Sequence, residues 1–567
     1  MFKIVSVARI REIEALVDEK LMPYADMMER AGKVTAERAH AMIENIENPK
    51  VTVLVGGGNN GGDGLVSARY LHEYAEVRLF LLKARTNDDA NFVATQELGL
   101  FTAYAEHDHD GRVLRNMIAS SDLVIDALFG IGLNLPLRDS AKKILRNVNQ
   151  AINSIREAQT ESITLSPLNR YNLPKPPKIQ VLAVDCPSGI ECDTGKTDSN
   201  TIIADETITF IALKPGLVTF PGANYTGDLS VSNIGIPGTF EAFRPETAQI
   251  VDAIVVKALL PSRGQNSHKG TVGKTYIVAG SLNYSGAPAL SAMAAYRAGT
   301  GLVSVATPYP VFGMIAGNIL EPTWIALPHN MGVISEKAIN VIKENIENYN
   351  AILIGPGLGQ EDTTGELIKA LLTDSRPSKK RKQRTIGFQA GIDKENHETD
   401  DTITLAPLII DADGLNLLVK IENWWELLPE STIITPHPGE MSRLCDSSTK
   451  NVQENRWELA QTKAQEWGIH IVLKGAHTII ATPEGEIFIL PFKNDALATA
   501  GTGDILAGLI AGLVAQGLSA RDAMICGGYI HGLAGEIATA DHGNGFTMIA
   551  SDLLGAIPDA FRQIQNA

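Results

Sequence analysis

Val51-Thr52-Val53-Leu54-Val55 is a short run of apolar and β-branched residues that stops at Gly56-Gly57-Gly58-Asn59-Asn60-Gly61-Gly62-Asp63-Gly64. Leu65 to about Tyr74 then reads as helix and Val77 to Leu82 as a second strand. Strand, glycine turn, helix, strand begins a parallel sheet, because parallel neighbours need a crossover and a helix supplies it. The pattern recurs along the chain. Asp122–Ile125 runs into Asp126-Ala127-Leu128-Phe129-Gly130, and Val181–Val184 into Asp185-Cys186-Pro187-Ser188-Gly189. In the second half Tyr276–Ala279 meets Gly280–Pro288 before a helix of small residues, Ala289–Ala298. Further strands end at Gly355-Pro356-Gly357-Leu358-Gly359, at Asp411-Ala412-Asp413-Gly414-Leu415-Asn416, at Thr435-Pro436-His437-Pro438-Gly439-Glu440 and at Lys474-Gly475-Ala476-His477-Thr478. A chain of 567 residues exceeds one ordinary domain. Two α/β domains are expected, residues 1–240 and 241–567, with the linker region near Phe240–Val251.

Strand ends of a parallel sheet share one rim, where ligands bind. Asn60, Asp63, Asp126, Asp185 and Ser188 therefore crowd one edge of the first sheet. One aspartate at a strand end is usually a cap, but two beside a glycine loop argue for a site. Gly56-x-Gly58-x-x-Gly61 formally fits the dinucleotide fingerprint, yet Lys83-Ala84-Arg85 stands where its ribose-binding acid belongs. Such a loop can hold a phosphate by its N–H groups and a cation by its carbonyls.

Bulk charge narrows the function. A net charge of −16 disfavours a general nucleic-acid or anionic-membrane role. The four cysteines form no CxxC pair, so neither a zinc ribbon nor a disulfide scaffold is indicated, and a cytoplasmic protein is expected. The N-terminus lacks a signal-peptide pattern. The longest apolar run, Ile505–Leu518, is too short to span a bilayer and contains Gln516, so it reads as a buried helix.

The segments Gly58–Gly64, Asp126–Gly130 and Asp185–Gly189 together resemble the NAD(P)H-hydrate epimerase domain, over about Met1–Pro237. That family has a Rossmann-like three-layer α/β/α fold and interconverts the R and S forms of hydrated nicotinamide cofactors. The resemblance implies that Asn59, Asn60, Gly61, Gly62 and Asp63, with Gly130, Ile131, Gly132, Leu133, Asn134, Leu135 and Pro136, hold the dinucleotide. It also implies potassium bound by Asn60, Asp126 and Ser188, and Asp185 at the reacting ring as acid/base. Eukaryotic members place a lysine where this chain has Asn134, so a role for that lysine does not carry over.

In the second half, Gly273-Lys274-Thr275 looks like the end of a Walker A motif. His268 occupies the required glycine position and a strand follows instead of a helix, so a P-loop is rejected. Ala500-Gly501-Thr502-Gly503-Asp504 is more informative. Its glycines free backbone N–H groups at the start of the Ile505 helix, an end that suits phosphate. A carboxylate there, Asp504, is either a cap or a base for a hydroxyl. His437, held between two prolines, has a ring that can be aimed at a ligand. The set of strand-end segments, in this order, is similar to the ribokinase-like ADP-dependent NAD(P)H-hydrate dehydratases, over about Val255–Phe561. The resemblance implies nucleotide contacts from Lys474, Gly475, Ala476, His477, Thr478 and Gly503, and hydrate contacts from Ala287, Gly357, His437 and Asp504. It implies that Asp504 activates the ring hydroxyl of the S hydrate, that ADP phosphorylates it with magnesium present, and that phosphate leaves to give NAD(P)H and AMP.

Two insertions, 158–178 and 375–401, interrupt the domains. The second carries Lys379-Lys380-Arg381-Lys382-Gln383-Arg384 but turns acidic afterwards, which reads as a solvated loop rather than a nucleic-acid site. The partners expected are NADHX, NADPHX and ADP, with no nucleic acid and no membrane, on a homo-oligomer. A vitamin or sugar kinase and a first domain that only binds are the rival readings; product analysis and an Asp185→Ala variant separate them.

Overall fold

The computed structural model describes residues 2–86, 88–158, 179–374 and 405–567; the two insertions lie outside these, apart from Ala158 at a helix end. The chain forms two compact units, Phe2–Glu246 and Thr247–Ala567.

The first unit is built on a seven-stranded parallel sheet. Its order is Phe101–Tyr104, Glu76–Leu81, Lys50–Val55, Leu123–Ala127, Gln180–Val184, Glu206–Phe210 and Asp228–Ser232. The chain starts in the middle, steps outward twice, then crosses back to Leu123–Ala127. That reversal opens a crevice at the strand ends between Lys50–Val55 and Leu123–Ala127. Side chains alternate across the sheet. Val51, Val53 and Val55 pack with the helices Val7–Lys20, Tyr24–Ile43 and Asn59–Leu71. Leu54, Phe80 and Val124 pack with Arg112–Ala119 and Asp139–Ala158 on the other face. The result is three layers. Ser6 caps the first helix by accepting from Arg9 N, and Pro23 separates it from the second.

The second unit has parallel strands in the order Thr323–Leu327, Leu302–Pro308, Lys274–Val278, Ala351–Ile354, Leu408–Ile410, Ile433–Ile434 and His470–Leu473. Ile479–Ala481 and Ile487–Ile489 continue the sheet antiparallel. Lys274 opens a strand, as the rejection of a P-loop requires. The apolar helix Thr502–Ala515 is buried along nearly its whole length. Gly508 and Gly512 let Gly286–Ala298 approach: a Cβ on Gly508 would lie 2.3 Å from Ser291 O and one on Gly512 2.7 Å from Ala295 O. Among the described residues, no helix is long and apolar enough to cross a membrane.

Several helices start earlier than their apolar periodicity indicates. They begin at Asn59, not Leu65; at Gly286, not Ala289; at Thr502, not Ile505. In each case the glycine-rich or polar "loop" is the first helical turn. The free N–H groups of that turn are what a ligand-binding rim uses.

Candidate active sites

In the first unit the switch-point crevice is a cleft of about 1470 Å³, lined by Asn59, Asn60, Asp63, Gly130–Pro136 and Asp185. Gly61 and Gly62 do not line it. Their missing side chains let other groups close in, since a Cβ on Gly61 would meet Gly56 O at 2.1 Å and one on Gly62 the Met28 sulfur at 2.6 Å. Asp126 is fully buried behind the cleft. Its carboxylate accepts from Ser188 N and Ser188 Oγ, both at 2.7 Å, and Phe129 N donates back to Ser188 Oγ at 3.0 Å. This stitches two strand-end loops together. Burial nevertheless outweighs those hydrogen bonds and raises the Asp126 pKa to about 6. Both polar atoms of the Asn60 side chain are buried with no protein partner.

The carbonyls of Gly56 and Gly58 are not free to bind a metal cation. Arg85, at the position where the fingerprint wants an acid, donates to them at 2.7 and 2.9 Å and also pairs with Asp89.

Asp185 sits at φ +64°, a left-handed conformation that a non-glycine residue adopts at a cost. Lys214, 1% exposed, donates to Asp185 Oδ1 at 2.5 Å, to Thr209 Oγ1 at 2.7 Å and to Phe210 O at 3.0 Å. All three ammonium protons are thus used, and the Thr209 hydroxyl donates a hydrogen bond to Asp185 Oδ1 at 3.1 Å. No motif pointed to Lys214; the signal was a lysine closing the apolar run Thr207–Leu213. Glu14, on a helix read only for its apolar stripe, also lines the cleft. Its carboxyl is pushed up by burial and then by the charge of Asp185. Asp63 is pushed well above the carboxylate range by burial, then by Asp185 and Glu14, with Lys214 opposing.

In the second unit Gly501, at φ +93°, turns the chain into the helix Thr502–Ala515, with Asp504 in its first turn. Lys474 Nζ donates to Asp411 Oδ1 at 2.7 Å and lies 3.7 Å from Glu440 Oε2. Thr435 Oγ1 donates to the same Asp411 oxygen at 2.7 Å. A Cβ on Gly503 would stand 3.4 Å from Lys474 Nζ, so the helix start lies against this cluster. Burial would lower the Lys474 ammonium, but Asp411, Glu440 and Asp504 outweigh it and raise its pKa. Asp504 is raised to about 7 by burial and then by Asp411, against Lys474. Glu440 is likewise raised to about 7, by burial. His531, partly buried and with its pKa lowered to about 4 by desolvation, meets Thr502 O at 2.9 Å and steadies the helix start; the sequence reading missed it.

His437 caps its own helix: its Nδ1 accepts from Gly439 N at 3.0 Å and Glu440 N at 3.3 Å. Its ring is half exposed, with burial and then Lys474 lowering its pKa. Gly357 and Ala287 are neighbours, as a Cβ on Gly357 would touch the Ala287 Cβ at 2.9 Å. Lys474, Gly475, Ala476, His477 and Thr478 form one turn, with Thr478 Oγ1 bonded to Gly475 O. Within it the His477 ring points inward, buried against Leu490 O, and burial lowers its pKa to about 4.

Known families match both units of the chain. A family profile described as "NAD(P)H-hydrate dehydratase" matches residues 275–378 and 394–559, and one described as "YjeF-related protein N-terminus" matches 24–216. The chain is 35% identical to the bifunctional NAD(P)H-hydrate repair enzyme Nnr of Moorella thermoacetica, over 99% of this chain and 97% of that one. It is 30% identical to the Escherichia coli protein of the same name, over 94% and 88%. Among solved structures, the Bacillus subtilis ADP/ATP-dependent NAD(P)H-hydrate dehydratase co-crystallised with ATP/Mg2+ is 28% identical, covering 56% of this chain and 98% of that one, with a TM-score of 0.45.

Proposed function

The chain belongs to the bifunctional NAD(P)H-hydrate repair enzymes, and from that premise we propose how its two units divide the work. The unit Phe2–Glu246 epimerises R and S hydrates, and the unit Thr247–Ala567 dehydrates the S form with ADP, releasing AMP and phosphate. The observation that carries this reading is the presence of a poised carboxyl in each unit: Asp185 against Lys214, and Asp504 at a helix N-terminus beside Lys474.

In the first unit the first turn of Asn59–Leu71 and the Gly130–Pro136 loop hold the dinucleotide, and Asp185 acts at the hydrated ring. The orphaned Asn60 side chain fits a potassium site, because its amide oxygen, the Asp126 carboxylate and the Ser188 hydroxyl are all hard oxygen donors. Bound there, potassium supplies counter-charge that fixes the loops around an anionic substrate.

In the second unit Asp504, with a pKa near working pH, takes the proton of the ring hydroxyl. The N–H groups of Gly501–Asp504 face the phosphate being transferred. Lys474 offsets the negative charge of Asp411 at the same point. The Lys474–Thr478 turn and Gly503 bind the nucleotide; Ala287, Gly357 and His437 contact the hydrate. Among the described residues no group of three or more metal-ligating side chains is assembled. That fits magnesium carried largely by nucleotide phosphates, with the buried carboxyl of Glu440, 3.7 Å from Lys474, as the protein group that would contact it. Magnesium there supplies charge to the phosphoryl oxygens.

The test separates the units. Asp185→Asn is expected to abolish R-to-S conversion and to leave dehydration of purified S hydrate intact; Asp504→Asn is expected to do the reverse. Loss of both activities in either variant contradicts the division.

A further inference from the structure

The epimerase cleft holds two carboxyls in opposite surroundings. Asp185 is the carboxylate half of a buried ion pair with Lys214. Asp63 reaches the same cleft from the first turn of the helix Asn59–Leu71. Among the described residues no cation stands within ion-pair distance of it. Asp185, Glu14 and Lys214, which also line the cleft, are the charged groups that act on Asp63.

We infer that Asp63 is a second catalytic residue of epimerisation: it donates the proton with which the ring hydroxyl departs, while Asp185 accepts the proton of the water that returns. This rests on the assignment of epimerisation to this cleft.

The chemistry balances. The ring nitrogen beside the hydroxyl-bearing carbon pushes its lone pair inward, the C–O bond breaks, and the Asp63 proton goes to the departing oxygen, giving water and an iminium. A water molecule then adds to the other face. Its oxygen forms the new C–O bond, one proton passes to Asp185, and the ring nitrogen regains its lone pair. One water leaves and one enters, with no change of oxidation state. The enzyme ends with the proton on Asp185 instead of Asp63. That proton passes back from Asp185 to Asp63 through water in the cleft, which restores the Asp185–Lys214 ion pair at 2.5 Å and resets the site.

Two carboxyls whose environments differ in this way divide acid and base roles in other hydrolytic sites. Here burial, and then the charges of Asp185 and Glu14, favour the protonated form of Asp63 over its carboxylate, against Lys214. The iminium is a cation, and the Asp185 carboxylate faces it without having to move.

The experiment uses the full chain, purified R hydrate and no ADP, so that only epimerisation is read, with chromatography of the two epimers. Asp63→Asn is expected to lower kcat by roughly 10²–10⁴-fold. The wild-type rate is expected to fall as pH rises through the raised pKa of Asp63, giving an upper limb to the pH profile, and the residual rate of the variant is expected to lack that limb. Unchanged ADP-dependent dehydration by the variant shows that the second unit is intact. Less than a threefold loss, or an upper limb that persists in the variant, overturns the proposal. Wild-type turnover in ¹⁸O-labelled water provides a readout independent of any variant. One labelled oxygen per conversion is expected, and conversion without label overturns the hydroxyl-departure step. If Asp185→Asn also epimerises at full rate, the placement of the reaction in this cleft falls instead.

Discussion

Replacing Lys214 with methionine keeps most of the side-chain volume and removes the charge that faces Asp185. The pair lies 2.5 Å apart with Lys214 1% exposed. At an effective dielectric constant of about 20, two unit charges at that distance attract by roughly 7 kcal/mol. Much of this offsets the cost of burying them. What the variant loses is the compensation, leaving a carboxylate with only the Thr209 hydroxyl for company. Breaking one side of a buried pair costs about 3–5 kcal/mol. In a unit of this size that lowers the melting midpoint by roughly 6–20 °C. The assay has a built-in control. All five tryptophans, Trp324, Trp424, Trp425, Trp457 and Trp467, lie in the second unit. Tryptophan emission should therefore report an unchanged transition, while the far-UV circular dichroism change belonging to the first unit moves to lower temperature. Adding Asp185→Asn to Lys214→Met should recover roughly 2 kcal/mol, because the uncompensated charge is gone. A loss under 1 kcal/mol for Lys214→Met, or a double variant weaker by the sum of the two singles, would refute the argument.

Other expectations concern the second unit. Asp504 with a pKa of about 7 is a base only above that value, so kcat/KM for dehydration should fall about tenfold per pH unit below it; a flat profile down to about pH 5.5 would contradict the role. Asp504→Asn should slow dehydration of S hydrate by at least about 10²-fold in single-turnover measurements, with epimerisation as before. Gly508→Ala places a methyl 2.3 Å from Ser291 O, and should cost about 1–3 kcal/mol by tryptophan-monitored unfolding despite alanine's better helix propensity; equal or greater stability would show that the two helices can part freely.

The sheet framework was legible because each strand is a short β-branched run with a polar stop. Those stops also marked most of both rims. Legibility failed at helix starts, where Asn59–Gly64, Gly286–Pro288 and Thr502–Asp504 lack the apolar periodicity that identifies a helix. Their first turns are free to carry ligand-binding glycines because the N–H groups there need no intrahelical partner. Long-range partners were invisible for a different reason. Lys214 meets Asp185 from 29 residues away, and Lys474 meets Asp411 from 63. A lysine after an apolar strand gives no sign that it will be drawn inside. Asp411 was singled out by its place at a strand end, but its work as the Lys474 counter-ion appears only once the strands are set side by side. His477 shows a further limit: nothing in its segment indicates that its ring turns to the core.

The most direct test of the whole account is to give the full chain an equilibrated mixture of R and S hydrate with ADP and magnesium, and to follow the return of reduced nicotinamide absorbance. The account predicts recovery of all the cofactor, with an Asp185→Asn variant slowing to the spontaneous epimerisation rate once the S fraction is spent. Wild-type recovery that halts at the S fraction, or an Asp185→Asn variant that recovers everything as fast as wild type, would contradict it.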